Sequence, residues 1–282
     1  MQIQLSLILI LPILFTIAYV ISMRQGLKRA DIEKSKAGLM FSQEILELVN
    51  QMQKHRGMSS GIIGGKNDFK KPLRDLDIII NNRLSSIKEE STSYPQMFDN
   101  DAWEDIHSRW QDKCRNWQSY ELFSNIENHT VLIKIILEQV NTLIDRAGLT
   151  TGEDFEFNSV ARKILRELPE LVEYIGQTRA LTVYCSSVHT CPTDTKLYLR
   201  YLHQKIQEGT SDIEISMTIP TELGSKVKCL LDLVEAEILE VEKITIDANV
   251  LFQLCTEIID AYLELTKEAI NELKNKIINK RY

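Results

Sequence analysis

Two arginines stand where a folded chain would normally place apolar side chains. Counting back from Arg56 meets Met52, Val49 and Ile45, all within about 40° of it at 3.6 residues per turn. Arg179 repeats the arrangement about 120 residues later, with Ile175, Val172 and Leu168 at the same three offsets. A guanidinium on a core-facing stripe keeps its charge and is costly to bury unless something negative pairs with it. An acidic side chain can be that partner. A small anion can also serve, held between both arginines if their helices pack side by side. Gln53, Ser59 and Ser60 near the first arginine, and Gln177 and Thr178 near the second, would add hydrogen-bonding groups.

Other chemistry is poorly supported. No nucleophile, base and orienting group fall into a recognisable set, and the five histidines are scattered, so no catalytic residue and no enzyme activity is expected. No CxxC or His-rich ligand set points to a metal, and no cofactor motif is present; Gly64-Gly65-Lys66 lacks the GxxxxGK[ST] spacing of a phosphate loop. Five cysteines leave at least one thiol unpaired. Cys185 and Cys191 are close enough in sequence for a small-loop disulfide, and otherwise read as two ordinary thiols. The net charge of -7 and the absence of a broad basic face argue against nucleic-acid binding. Trp103, Trp110 and Trp117 recur every seven residues, which reads as interhelical packing rather than a base-stacking platform.

The elements that must carry these residues are helical. Few Gly and Pro, with long runs of Leu, Ile, Glu, Lys and Gln, predict an all-α chain. Residues 3–23 carry no charge and are long enough to cross a bilayer as a helix, giving a membrane anchor over 1–23 and a helical domain over 24–282. A helix continuing out of the membrane would run from Arg24 to about Gly61. Helices are further expected over about Lys70–Glu90, Asp101–Ser119, Glu121–Ala147, Phe157–His189 with a kink or short restart at Pro169, from Pro192, Pro220–Glu242 and Ala248–Lys280. The segment Gly209–Met217 reads as a polar loop. The architecture expected is one or two four-helix bundles sharing long helices. Arg24, Lys28 and Arg29 follow the span directly, so the positive-inside rule leans towards a cytoplasmic domain on a single-pass inner-membrane protein.

Three motifs in order resemble the nitrate- and nitrite-sensing (NIT) domain of bacterial receptors and antitermination regulators. The family signature Leu-Gln-x-Glu-Arg-Gly-x-Ser is matched by Met52-Gln53-Lys54-His55-Arg56-Gly57-Met58-Ser59. A Leu-Pro-x-Leu run leading to Gly-Gln-x-Arg is matched by Leu168-Pro169-Glu170-Leu171 and Gly176-Gln177-Thr178-Arg179. The closing helix around Thr256-Glu257-Ile258-Ile259-Asp260-Ala261 is similar to the family's last helix. The resemblance implies an all-α bundle that binds nitrate or nitrite through arginines, here Arg56 and Arg179, with Arg83 and Arg146 as candidates for further ones. His55 departs from the family's Glu. The resulting expectation is a membrane-anchored sensor that signals by helix repacking, as a homodimer or to a separate protein. The competing expectation is a ligand-free helical scaffold with both arginines in internal ion pairs.

Overall fold

A computed structural model describes the backbone of residues 2–151, 154–216 and 218–279, and their side chains except residues 2–14, Thr16 and Ser216. Among the described residues every regular element is helical and there is no strand. The first helix, α1 (Gln2–Ile63), is the spine of the molecule. Its residues 20–31 are exposed, and from Ala37 onward it is buried on successive turns. It ends where Gly65 takes φ of 101° and the Lys66 N–H bonds back to the Gly61 carbonyl at 2.9 Å, a left-handed stop that glycine makes without a Cβ clash.

The second helix, α2 (Lys70–Ser91), turns Leu73, Leu76, Ile80, Leu84 and Ile87 inward at helical spacing. Asp99 caps α3 (Asn100–Arg109) by accepting from the Ala102 N–H. The helix expected to continue to Ser119 instead passes through a π turn at Trp110–Cys114 and a 3-10 turn at Trp117–Ser119. All three tryptophans are buried.

Next come α4 (Leu122–Arg146) and α5 (Phe155–Arg162). A second π turn, Lys163–Glu167, leads into α6 (Leu168–Ser187). Pro169 cannot donate to a carbonyl in the preceding turn, and the local register widens to accommodate it, with the Leu168 N–H reaching the Lys163 carbonyl.

The remaining helices are α7 (Thr193–Ser216), α8 (Thr221–Val234) and α9 (Ala248–Asn279). The polar loop expected from Gly209 is helix instead. Gly209 is a packing residue, since a Cβ there would sit 3.1 Å from Leu171 Cδ1. The helix expected to reach Glu242 ends earlier, with α8 passing through a π turn at Glu235–Leu239.

These helices form an all-α bundle in which α1 packs against α2, α4, α6 and α9, and α6 packs against α7 and α9 as well. The helices α1 and α6 run parallel: Gln53 meets Glu173, Gly61 faces Val183, and Gly64 faces Ser187. Antiparallel to both lies α9, with Lys267 bonded to Glu47 and Phe252 against Gly57. α4 is antiparallel to α1, joined by Ser35 with Ala147 at one end and Ser59 with Asn125 at the other. Among the described residues no helix is long and apolar enough to cross a membrane. The segment 3–23 lies largely outside the residues with described side chains; of those inside it, Phe15, Ile17, Tyr19, Val20, Ile21 and Met23 are exposed.

Candidate functional site

Parallel packing of α1 against α6 brings the two arginines into one interior, because each occupies the same offset on its own apolar stripe. Met52, Val49 and Ile45 behind Arg56 are buried, as are Ile175, Val172 and Leu168 behind Arg179. Both guanidiniums are fully buried. Each lies over the other motif's glycine. A Cβ on Gly176 would come 2.9 Å from Arg56 Nη2, and a Cβ on Gly57 would come 3.2 Å from Arg179 Nε. The two glycines are therefore the clearance through which the long side chains cross the α1–α6 seam.

The two arginines have different partners. Arg56 makes a two-pronged ion pair with Glu173, Nη1 to Oε1 at 2.6 Å and Nη2 to Oε2 at 3.1 Å. Its Nη1 also donates to Thr130 Oγ1 on α4 at 2.9 Å. Gln53 Nε2 donates to Glu173 Oε2 and Gln177 Nε2 to Oε1, both at 2.8 Å. Tyr198 on α7 orients the Gln177 amide by donating to its Oε1. Glu173 thus has two donors on each carboxylate oxygen, which offsets much of the cost of burying it.

Arg179 has no such counter-charge. Its Nη1 donates to Thr256 Oγ1 on α9 at 2.9 Å, and its guanidinium carbon lies 5.2 Å from the centre of the Phe252 ring. Its Nε and Nη2 are buried without a hydrogen-bond partner among the described residues, and no ion pair to an acid is formed there. Burial pulls its titration down to about 10, and the nearby Arg56 charge adds to that, while Cys255, Asp260 and Glu173 oppose it. The guanidinium stays charged at neutral pH, with two of its nitrogens unpartnered among the described residues.

The other predicted residues divide. Gln53 and Gln177 join the polar cluster. Ser59 and Ser60 donate to the Arg56 carbonyl and accept from Asn125, and Thr178 donates to the Tyr174 carbonyl, so all three hydroxyl protons go to backbone. Arg83 is a partly exposed residue paired with Glu44, and Arg146 is exposed. Neither enters the site. His55 points away from the guanidiniums. Its Nδ1 lies 2.7 Å from His129 Nε2 and its Nε2 lies 3.1 Å from Asp77 Oδ1. His129 Nδ1 donates to the Asn125 carbonyl, so His129 Nε2 is the acceptor and His55 Nδ1 the donor. Burial pushes both histidines below the ordinary imidazole range, against the raising effect of Asp77 on His55 and of the Asn125 carbonyl on His129. The His at this position therefore belongs to the α1–α2–α4 core and leaves the Arg56–Glu173 cluster untouched.

Sequence reasoning missed Glu173, Thr130, Thr256 and Phe252. Glu173 had one local signal, its place one helical turn before Gln177. Thr256 opens the third motif, where no role was assigned to it, and Thr130 and Phe252 meet the arginines only through packing. The sulfurs of Cys185 and Cys191 are 3.0 Å apart as thiols, and no metal-holding cluster occurs among the described residues. Comparison with known proteins gives no matching family model, no matching curated protein and no matching solved structure.

Proposed function

We propose that this chain is a membrane-anchored sensor of nitrate, nitrite or a similar small anion, bound in the α1–α6 seam. The observation that carries the reading is Arg179: a fully buried, charged guanidinium with two unpartnered donors. Native interiors rarely leave such groups unmatched, and a planar anion with several acceptor oxygens suits a guanidinium fork. Each charge-assisted bond contributes about 1.5–3 kcal/mol, so two or three reach towards the roughly 8 kcal/mol of micromolar binding when the site is already formed. The motif resemblance to the nitrate- and nitrite-sensing family points to the same ligand.

The transmitting element is α1, which carries Arg56 within the bundle and continues as an exposed rod towards residues 3–23. The seam joins α1, packed on α4, to α6, packed on α9, so an anion drawing on both motifs biases how the two sides pack. Apolar side chains exposed on α1 support a bilayer anchor, and Arg24, Lys28 and Arg29 favour a cytoplasmic domain. Output then passes through a second copy or a separate signalling protein.

One observation favours the second reading, a ligand-free scaffold: Arg56 already has an internal carboxylate. Titration calorimetry of the purified full chain with nitrate, nitrite and chloride separates the two. Saturable heat with nitrate or nitrite, lost in Arg179→Met, is expected. No heat and no thermal shift with any of the three sinks the sensor reading.

A further inference from the structure

Glu173 is the one buried acid at the centre of the motif cluster, and the groups that hold it are those the anion would need. A carboxylate is a planar group with two acceptor oxygens, close in shape and charge to nitrate and nitrite. The donors around it are Gln53 Nε2, both terminal nitrogens of Arg56 and Gln177 Nε2, at 2.6–3.1 Å, and all three residues belong to the two motifs. Glu173 is also reachable from solvent. A cleft of about 390 Å³ between α4 and α6 has Thr130, Glu173 and Gln177 on its wall, with Lys134 and Arg166 also lining it. Arg166 is paired with Asp145 and bonded to Asn141, and Glu138 and Glu170 share the wall with Lys134, so the cleft supplies an opening to Glu173 and no net positive field.

We infer that Glu173 is a built-in competitor for the anion: its carboxylate occupies the Gln53, Arg56 and Gln177 donors, and an anion entering through the α4–α6 cleft engages them by displacing it. This rests on the anion-sensing reading and adds to it. The competitor sets the anion concentration at which the site fills, because binding must replace a carboxylate already held by four bonds. It also supplies the moving part. A displaced Glu173 carries a charge out of the α1–α6 seam towards the cleft, and the parallel helices lose one of their cross-links.

The test uses the full chain with nitrate and formate as probes and chloride at equal ionic strength as control. Glu173→Gln keeps the shape but removes the charge, and is expected to bind nitrate at least tenfold more tightly than wild type by calorimetry. Glu173→Ala is expected to be thermally destabilised and to recover saturably with formate or nitrate, which refill the vacated donors, but not with chloride. Unchanged or weaker nitrate affinity in Glu173→Gln, with wild type still binding, overturns the competitor role and leaves the anion site standing. No nitrate binding by wild type or Glu173→Gln, together with no anion-specific recovery of Glu173→Ala, overturns both.

Discussion

Replacing each arginine by methionine separates the two halves of the site, because one guanidinium is paired and the other is not. In Arg56→Met the Glu173 carboxylate stays buried without its ion partner, a loss that costs about 3–5 kcal/mol. In Arg179→Met no acid is orphaned. The wild-type guanidinium, shifted from 12.5 to about 10 by burial, carries a penalty of about 3 kcal/mol at 1.36 kcal/mol per unit. Against this stand the hydrogen bond to Thr256, about 1.5–3 kcal/mol for a charged donor, and the contact with the Phe252 face, about 1 kcal/mol. The two sides nearly cancel. In anion-free buffer Arg179→Met should lie within about 1 kcal/mol of wild type while Arg56→Met falls well below it, by roughly 5–8 °C in midpoint for a chain of this size. Scanning fluorimetry of the full chain, with and without nitrate, reads both effects. Nitrate at a hundredfold excess over its Kd should add about 2.7 kcal/mol to wild type and nothing to Arg179→Met. If Arg179→Met in anion-free buffer drops as far as Arg56→Met, Arg179 is satisfied internally and the anion reading loses its main support.

Three further outcomes are expected. His129 is held neutral by burial, whereas in the unfolded chain its imidazole takes up a proton near 6.5; stability is therefore complete above that pH and falls as pH drops towards the lowered folded value. The slope reaches about 1.4 kcal/mol per pH unit for this histidine. Urea midpoints at pH 7.5, 6.5 and 5.5 should show it, with His129→Gln flattening the slope and a pH-independent wild-type midpoint contradicting it. Thiol accessibility should be graded: exposed Cys229 alkylates first and half-buried Cys191 next, the latter with its thiol lowered by the Cys185 hydrogen bond. Cys114 and Cys255, both pushed up to about 12 by burial, should react only after unfolding, and mass spectrometry of pulse-labelled protein checks the order. Gly176→Ala places a methyl 2.9 Å from Arg56 Nη2 and 3.2 Å from Gln53 Cδ, so despite its better helix propensity it should destabilise by about 1–3 kcal/mol through overpacking. A gain in denaturation midpoint for that variant would mean the arginine has room to yield.

Much of this molecule was written locally in the chain. Helical periodicity is a property of a few consecutive turns, which is why the all-α class, the inward tryptophans and the two arginines on apolar stripes could be read from residue spacing. Gly65 marked the end of α1 for an equally local reason, its backbone freedom. The expectations that failed did so where packing overrode local chemistry. Gly209 reads as a break yet sits in mid-helix against Leu171, whereas the interruption expected at Pro169 is present as the π turn that leads into α6.

What answers each arginine was decided only by the tertiary structure. Glu173 lies 117 residues from Arg56, and Thr256 lies 77 residues from Arg179. Nothing in the spacing of either motif selects one acid among 40. The parallel seating of α1 on α6 makes that selection: it gives Arg56 a carboxylate and leaves Arg179 with a hydroxyl and an aromatic face. The sequence determined that two charges point inward, because helix geometry is local. Which of them is neutralised depends on contacts between distant segments, and those exist only once the helices have packed.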